Sequence, residues 1–435
     1  MKIIKLKSSD IKIQIYKIRK RQENNLNIIE KKVNDILSEV RLRGDKSLFE
    51  LTRKFDDFEL TKKNIRINQT QIANSYKHLS SDVKSAIKKS IKRVKDYQKK
   101  KLPKSLRYKD EFGNILGWNV NPINRIGIYV PGGTASYPSS LIMTATLAKV
   151  AGSKELVVST PPGIEGVNPA ILFTADLLGI KEVLQVGGAQ AIAALAYGTN
   201  SVKSVDKIVG PGNIFVATAK KQVFGKVDID MIAGPSEVLI IADISANPEY
   251  VAADLIAQAE HDVQASAICV TTSIRLAKLI SAQIKKQSLL LKRKDIINAS
   301  IKRNGTIFVV NNLDDCINFS KIFAPEHLEI FVKKSSQVEN KIINAGSIFV
   351  GANSGEAFGD YIAGPSHVLP TGGSATFSSP LSALDFIKYS SYTKISKLGA
   401  RRLGRDVILL AKKEGLDGHA NSIALRLRKD KENDK

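Results

Sequence analysis

The chain has 435 residues, of which 43% are hydrophobic and 25% charged, so it is neither fibrous nor disordered, and it exceeds the ~250–300 residues that one core usually supports. The net charge of +24 is concentrated in residues 1–110, which carry 31 Lys and Arg against 13 Asp and Glu. These basic residues are scattered among Ile, Asn and Ser without a nucleic-acid-binding motif, which favours a solvated surface over a nucleic-acid site.

Residues 1–110 are predicted to be mainly helical. Apolar residues recur at three- and four-residue spacing over residues 28–55 and again over 71–98, which is the period of an amphipathic helix. Lys and Ile alternate at the N-terminus without the continuous apolar segment of a secretory signal. No stretch has the ~20 apolar residues of a membrane span, so we expect a cytoplasmic protein.

From residue 124 onward, short apolar runs alternate with helical stretches. This alternation predicts βαβ units around parallel sheets. Asn247 and Pro248 are typical of a helix start, residues 354–379 are expected to form loops, and residues 381–435 a helical tail. The predicted strands are 126–130, 155–159, 182–186, 237–242, 267–270, 306–310, 329–332 and 347–350, and the first helices between them are 139–150, 168–178 and 189–197.

The two cysteines, Cys269 and Cys316, both lie in apolar runs and not in a Cys-x-x-Cys pair. This context favours buried small hydrophobic side chains over metal ligands or a disulfide. A reducing compartment is expected for the same reason.

Four of the five histidines fall in the second half of the chain, near carboxylates, amides or glycines. Gln258 and His261 are three residues apart at the end of a predicted helix and therefore share one face; a histidine favoured by the helix dipole is the simpler alternative. Glu326 and His327 stand at a strand entrance, where they could serve as acid and base or merely form a polar loop.

Three further polar residues stand near glycine or proline. Asp360 follows Gly359, His367 follows Gly364-Pro365-Ser366, and His419 follows Gly418 in the tail, after Glu414. Each could be an ordinary loop or surface residue. Together with Gln258 and His261 they supply nitrogen and oxygen donors without a thiolate, a set that suits Zn²⁺ or Mn²⁺.

Glycine-rich turns follow several predicted strands, where open α/β sheets bind ligands. None has the Gly-x-Gly-x-x-Gly pattern of a dinucleotide site with its acidic partner, so spacing alone supports nucleotide or phosphate binding only weakly. The turns are Pro131-Gly132-Gly133-Thr134, Gly187-Gly188-Ala189-Gln190, Gly210-Pro211-Gly212-Asn213 and Ala233-Gly234-Pro235-Ser236.

The ordered set of motifs resembles the histidinol dehydrogenase family from about residue 30 to 425. The resemblance implies NAD-dependent, four-electron oxidation of L-histidinol to L-histidine through L-histidinal in histidine biosynthesis. The first 30 or so residues and the tail after Leu427 match poorly, and the loop over 223–230 is shorter than in some relatives. The matching segments are Tyr129-Val130-Pro131-Gly132-Gly133, Val186-Gly187-Gly188-Ala189-Gln190-Ala191, Gly210-Pro211-Gly212-Asn213, Ala233-Gly234-Pro235-Ser236-Glu237-Val238, Gln258-Ala259-Glu260-His261, Ala324-Pro325-Glu326-His327-Leu328 and Ser366-His367-Val368-Leu369-Pro370.

The same resemblance assigns roles to individual residues. His327 matches the general base, and Glu326 the residue that activates water. Zinc, with manganese as a substitute, would be held by Gln258, His261, Asp360 and His419, the last from the partner subunit of a homodimer. NAD would contact Tyr129, Gln190 and Asn213. The substrate would contact the four metal ligands and His327, together with Ser236, His367 and Glu414.

The fold implied is α/β, with two domains built on parallel, incomplete Rossmann-like sheets and a small helical tail used in dimerisation. The domain plan gives a main domain of residues 22–125 with 237–380, an inserted NAD-binding domain of 126–236, and a terminal tail of 1–21 with 381–435. A metal-dependent hydrolase is the alternative, because His, Asp and Glu around zinc also activate water; a nucleic-acid-binding protein would need salt-sensitive binding to DNA.

Overall fold

The computed structural model divides the chain into two units, which are described separately. The first comprises Met1–Lys101 and Ile123–Phe386, and the second Leu102–Pro122 and Ile387–Lys435. The structure describes residues 1–20, 26–132, 137–163 and 166–432. Gly133 and Thr134 of the first glycine-rich turn lie outside the described residues.

Helices and strands alternate along most of the chain. The strands are β1 (Lys2–Lys5), β2 (Leu106–Lys109), β3 (Ile115–Pro122), β4 (Arg125–Tyr129), β5 (Glu155–Thr160), β6 (Glu182–Gln185), β7 (Lys207–Val209), β8 (Asp228–Ile229), β9 (Glu237–Ala242), β10 (Ser266–Thr271), β11 (Thr306–Val309), β12 (His327–Phe331), β13 (Ser347–Val350) and β14 (Ile387–Lys394). The helices are α1 (Ile11–Lys20), α2 (Leu26–Arg43), α3 (Asp45–Asp56), α4 (Gln69–Asn74), α5 (Ser81–Lys99), α6 (Pro138–Ala151), α7 (Pro169–Leu177), α8 (Gly188–Tyr197), α9 (Ile214–Val223), α10 (Pro248–Ala259), α11 (Ile274–Ser288), α12 (Lys294–Asn304), α13 (Leu313–Phe323), α14 (Ser336–Glu339), α15 (Ala357–Tyr361), α16 (Lys397–Lys413) and α17 (Asp417–Glu432).

One sheet of the first unit has six parallel strands in the order β1-β11-β10-β9-β12-β13. Its central strand β9 is buried throughout, as expected for a parallel strand covered on both faces. Val238 and Ile240 pack with α10, α11 and α12, whereas Leu239 and Ile241 pack with α1 and α13. Cys269 lies in the first of these layers and Cys316 in the second, both buried and unpaired.

The other sheet of the first unit has five parallel strands in the order β6-β5-β4-β7-β8. Ile126 and Val158 face a layer that contains α5, α6 and α7. Val157 and Ile208 face the opposite layer, which contains α2, α3, α8 and α9. The helices of residues 26–99 therefore cover both faces of this sheet.

The second unit is a three-stranded antiparallel sheet in the order β14-β3-β2 with α16 and α17. Ser396 caps α16 by accepting from Gly399 N. α17 packs closely on α16 at Gly404, where a Cβ would lie 2.9 Å from Leu427. Leu409 and Leu410 of α16 leave about two thirds of their surface exposed.

The predicted α/β class with parallel sheets is confirmed, and β9 and β13 have the predicted bounds. Residues 2–5, 106–109 and 387–394 form β1, β2 and β14 where helix was predicted, and residues 357–361 form α15 where loops were predicted. β1 and β14 pair with strands distant in sequence, and this pairing overrides the local pattern. The domain boundaries stay a prediction. Among the described residues, no helix is long and apolar enough to cross a membrane.

Candidate functional site

A cavity of about 1200 Å³ opens at the carboxyl ends of the five-stranded sheet. Tyr129 is the last residue of β4, Gln190 stands in the first turn of α8 after β6, and Asn213 follows β7 as the N-cap of α9. All three line the cavity. The structure therefore brings together the three residues predicted to contact NAD, at the sheet edge where open α/β sheets bind ligands.

Hydrogen bonds and close packing shape this wall. The Tyr129 hydroxyl accepts from Gly188 N at 3.1 Å, and burial raises the Tyr129 pKa to about 12. Asn213 Oδ1 accepts from two amides of α9, which leaves its amide nitrogen as the group that can reach a ligand. At Gly187, a Cβ would lie 2.5 Å from Pro161, so only glycine permits this approach of the two loops.

The opposite wall comes from the N-terminal helices, which the sequence patterns did not connect with a ligand. Asp56, the last residue of α3, is 3.4 Å from Gln190 Nε2, and burial raises its pKa. His78 is exposed and also lines the cavity. No sequence motif marks these residues. Periodicity identifies which face of a helix is buried, but it does not show that the helix lines a cavity formed with distant loops. The remaining wall residues include Asn68, Thr70, Gln71, Asn74 and Ser75.

A second polar cluster lies at the amino ends of β9 and β12. Glu237 opens β9 and His327 opens β12, with His327 in register with Val238. Before β12, α13 ends at Ala324, whose left-handed φ of 46° turns the chain toward Pro325 and Glu326. A left-handed alanine is strained by ~1 kcal/mol or more, and this strain occurs directly beside the cluster.

Glu326 and His327 are both buried and share one backbone partner. Glu326 Oε2 accepts from Glu237 N at 2.8 Å, and His327 Nδ1 lies 3.2 Å from Glu237 O. The two side chains approach to 3.8 Å, between Glu326 Oε2 and His327 Nδ1. On the other side of the ring, His327 Nε2 lies 3.7 Å from Asp360 Oδ1. The predicted acid and base therefore form one cluster with the predicted ligand Asp360.

Burial and charge shift the pKa values of this cluster in opposite directions. Burial raises the Glu326 pKa to about 7, against the pull of the His327 charge. Burial alone would lower the His327 pKa, but the charge of Glu326 and the hydrogen bond with Asp360 outweigh it and raise the pKa well above its ordinary value. Burial would raise the Asp360 pKa, yet His327 holds it at about 2. A carboxyl with a pKa near neutrality beside an imidazole is the arrangement that an acid–base pair requires.

Gln258 and His261 stand at the carboxyl end of α10, which begins, as predicted, with Asn247 accepting from Glu249 N and with Pro248 in the first turn. His261 Nε2 lies 4.0 Å from Asp360 Oδ2. Two ligands that bind one cation at ~2.1 Å each are at most ~4.2 Å apart, so this pair can hold one ion.

The Gln258 side-chain amide forms hydrogen bonds with two other residues. Its nitrogen donates to the Glu356 carboxyl at 3.1 and 3.2 Å, and its oxygen accepts from Glu237 N at 3.2 Å. Within the described residues, no group of three or more His, Cys, Asp or Glu is placed to hold a metal ion; the first unit offers one imidazole, one carboxylate and one amide. These donors suit zinc or manganese. To bind the ion, the Gln258 amide oxygen gives up its hydrogen bond with Glu237 N.

Two more predicted substrate contacts lie in the same unit. His367 Nδ1 is 2.9 Å from Asp360 O, and burial lowers the His367 pKa. Ser236 directly precedes Glu237 and accepts from Ser266 N through its carbonyl. The His327 ring stacks on Phe349 at 6.1 Å between centroids.

Glu414 and His419 belong to the second unit. Glu414 is the C-cap of α16, and His419 stands in the first turn of α17. Both side chains are exposed. They are the two predicted site residues outside the first unit.

A buried acidic group beside the cluster was not predicted. Glu329 Oε1 accepts from Glu356 N at 2.7 Å, and both carboxyls are buried. Burial raises the pKa of each well above the ordinary value. The charges of Glu356 and Asp254 add to this shift at Glu329, whereas at Glu356 the charges of Asp360 and Asp254 add to it against the pull of His327. Burial also raises the pKa of Asp254 to about 6. Alternation along β12 identifies Glu329 as inward-facing, but only the fold reveals its acidic neighbours.

Replacing Glu329 with Gln should stabilise the protein increasingly as pH rises. An acid with a raised folded pKa contributes its stability below the ordinary value of 4.5 and loses it as pH rises toward the folded pKa, by up to ~1.4 kcal/mol per pH unit. The free energy of unfolding of Glu329→Gln relative to the native chain should therefore grow between pH 6 and pH 8. The exposed Glu59→Gln serves as the control and should show a constant difference. A pH-independent effect of Glu329→Gln would contradict the prediction.

Comparison with known proteins finds similarity over nearly the whole length of the chain. A family model described as histidinol dehydrogenase matches residues 19–427. A histidinol dehydrogenase from Clostridium acetobutylicum is 47% identical over 430 residues, covering 98% of this chain and 99% of that protein. One from Bacillus cereus is 45% identical over 426 residues, covering 97% and 99%. The crystal structure of histidinol dehydrogenase from Elizabethkingia anophelis matches with a TM-score of 0.91 at 35% identity, covering 99% of this chain and 98% of that one.

Proposed function

Because the chain belongs to the histidinol dehydrogenase family, we propose that it oxidises L-histidinol to L-histidine through L-histidinal, with two NAD⁺, in histidine biosynthesis. The observation that carries the proposal is the single cluster formed by Glu326, His327, Asp360 and His261. It combines an acid–base pair with donors suited to hold an imidazole-bearing substrate through a cation. Neither the contacts nor the relatives favour the metal-dependent hydrolase.

His327 is proposed as the base of the first oxidation. With Nδ1 held at the Glu237 carbonyl, its Nε2 can take the proton of the substrate hydroxyl as the hydride leaves the same carbon. The products of this step are the aldehyde, a protonated imidazole and one reduced cofactor. Asp360, whose pKa stays at about 2, remains ionised and favours the protonated ring.

Glu326 is proposed to serve the second oxidation. Its carboxylate can take a proton from water as the water oxygen bonds to the aldehyde carbon, while the protonated His327 gives its proton to the former carbonyl oxygen, and the product is the hydrate. Loss of a hydride and a proton from the hydrate then gives the carboxylic acid. A carboxyl with a pKa of about 7 can both accept and release a proton near neutral pH.

Zinc, or manganese in its place, is proposed to be held by Gln258, His261 and Asp360 with His419 of the partner subunit. The metal would supply a template for the imidazole and amine of the substrate. Ser236, His367 and Glu414 would complete the substrate contacts. The donor chemistry of the first three residues supports this assignment, as does the 4.0 Å between His261 and Asp360.

NAD⁺ is proposed to bind in the cavity lined by Tyr129, Gln190 and Asn213, where it would supply the hydride acceptor. A homodimer is part of the same proposal. The exposed leucines of α16, Leu409 and Leu410, support it, since apolar surface of this kind is typical of subunit interfaces. The cytoplasmic location also remains part of the proposal, and the buried, unpaired thiols agree with a reducing compartment.

The purified protein loaded with Zn²⁺ should reduce two NAD⁺ per L-histidinol consumed, followed by absorbance of NADH. Incubation with a chelator should abolish this activity, because the metal ion is what holds ligands from separate segments together. Adding Zn²⁺ or Mn²⁺ should restore it. Ethanol in place of L-histidinol is the control and should give no NADH. A metal-loaded protein that forms no NADH from L-histidinol would refute the proposed reaction.

A further inference from the structure

One residue supplies the backbone groups that hold both halves of the proposed acid–base pair. The Glu237 N–H donates to Glu326 Oε2 at 2.8 Å, and the Glu237 carbonyl lies 3.2 Å from His327 Nδ1. A carbonyl at Nδ1 requires the proton on that nitrogen, so in the neutral ring Nε2 is the acceptor. The orientation of the carboxylate and the tautomer of the imidazole therefore both depend on where the Glu237 peptide groups lie.

The Glu237 side chain is anchored by a residue from the other end of the chain. Its carboxylate is fully buried and pairs with the Arg19 guanidinium. Arg19 stands at the end of α1 and also donates to Phe323 O at 2.5 Å, with the guanidinium 4.2 Å from the centre of the Phe323 ring. Phe323 is the last residue of α13, three positions before Glu326. Arg19 thus links the start of β9 to the segment that carries Glu326 and His327.

The chemistry of this link favours positioning over simple stabilisation. A guanidinium presents donors in a rigid, planar fork, so contacts to a carboxylate, a carbonyl and a ring fix the relative position of three groups at once. A buried ion pair adds little stability over apolar side chains of the same volume. The ion pair therefore contributes by fixing the position of the Glu237 N–H and carbonyl groups.

We infer that Arg19, acting through Glu237, is a positioning residue that holds Glu326 and His327 in their reactive arrangement, an inference that rests on the proposed oxidation of L-histidinol. The N-terminal segment, whose basic residues suggested only a solvated surface, then serves the reaction at a distance. Loss of the Arg19 guanidinium should lower the rate of both oxidations and leave the binding of L-histidinol and NAD⁺ nearly intact.

The experiment compares Arg19→Met, Arg19→Lys and the double variant Arg19→Met with Glu237→Gln. The double variant removes both charges together and so avoids leaving a buried carboxylate without the Arg19 charge. Ile15→Ala on the same helix, at a buried apolar side chain of the core, is the matched control. For each, kcat and KM are measured with L-histidinol, L-histidinal and NAD⁺, well below the Tm of the least stable variant.

Positioning predicts that Arg19→Met and the double variant lose ~30-fold or more in kcat while each KM changes less than ~3-fold. Arg19→Lys should recover part of the rate, and Ile15→Ala should lower Tm but keep kcat within ~2-fold of the native value. Equal loss of kcat in Arg19→Met and Ile15→Ala, or no loss in either Arg19 variant, would overturn the inference.

A second readout does not depend on turnover. With only five histidines in the chain, ¹⁵N-histidine spectra can follow the His327 ring, assigned by its loss in His327→Asn. At a pH above the His327 pKa, where the ring is neutral, the native protein should show the proton on Nδ1, and Arg19→Met a mixture of tautomers. A native tautomer in Arg19→Met would overturn the inference even if the protein proved inactive on L-histidinol, whereas native inactivity alone would refute only the proposed reaction.

Discussion

His327→Asn should lower the rate of NADH formation from L-histidinol by ~10³-fold or more, because a positioned general base contributes roughly 10²–10⁴ and its removal leaves no group to accept the hydroxyl proton. The fold should survive. The Asn amide can still donate to the Glu237 carbonyl from the place of Nδ1, and the stack on Phe349 involves only one face of the ring. What disappears is Nε2, which faces Asp360.

The measurement is kcat for the purified variant, with Tm and the affinity for NAD⁺ as controls. Affinity should stay within ~2-fold of the native value, since the cavity of Tyr129 and Gln190 is built from a different sheet. A variant that binds NAD⁺ normally and still turns over at more than about a tenth of the native rate would exclude His327 as the base.

Two inactive variants should restore activity to each other if the metal site is shared between subunits. His261→Asn and His419→Asn should each lower activity ~100-fold or more, because each removes a proposed ligand. When both chains are co-expressed with different tags, each mixed dimer has one site with two defects and one site with none. Equal amounts should then give about a quarter of the native activity, since half of the dimers are mixed and each has one intact site.

The mixed dimer can be isolated with both tags and assayed alone. It should reach about half of the native activity per dimer. If His261 and His419 served the same site within one chain, both sites of the mixed dimer would carry a defect. Activity no higher than that of either parent would therefore rule out a site shared between subunits.

The sequence predicts the parallel strands well, because a strand buried on both faces leaves a continuous apolar run such as Val238 to Ala242. It predicts β1 and β14 poorly. Residues 2–5 have the sequence Lys-Ile-Ile-Lys and pair with β11, about 300 positions away, and β14 pairs with β3 across a similar distance. Pairing partners so far apart leave no local trace in a single sequence.

The candidate site shows the same division. Gln258 and His261 share a helix face, and Glu326 and His327 are adjacent, so local spacing identifies them as candidates. Their association with Asp360 comes from the fold. Arg19 could not be found from spacing, because one arginine in a Lys-rich segment looks like its neighbours. The usual rule for α/β sheets also points to the carboxyl ends of strands, whereas this acid–base cluster lies at the amino ends of β9 and β12.

The positions of the two cysteines give the protein a built-in pair of labelling sites. Cys269, on strand β10, packs into the core on one face of the six-stranded sheet, and Cys316, on α13, packs into the core on the other face. Burial raises the pKa of both thiols. Alkylating reagents attack the thiolate, so each cysteine reacts only when its own layer opens. The two labelling rates in mild denaturant would therefore report whether the two faces of this sheet separate together or one before the other.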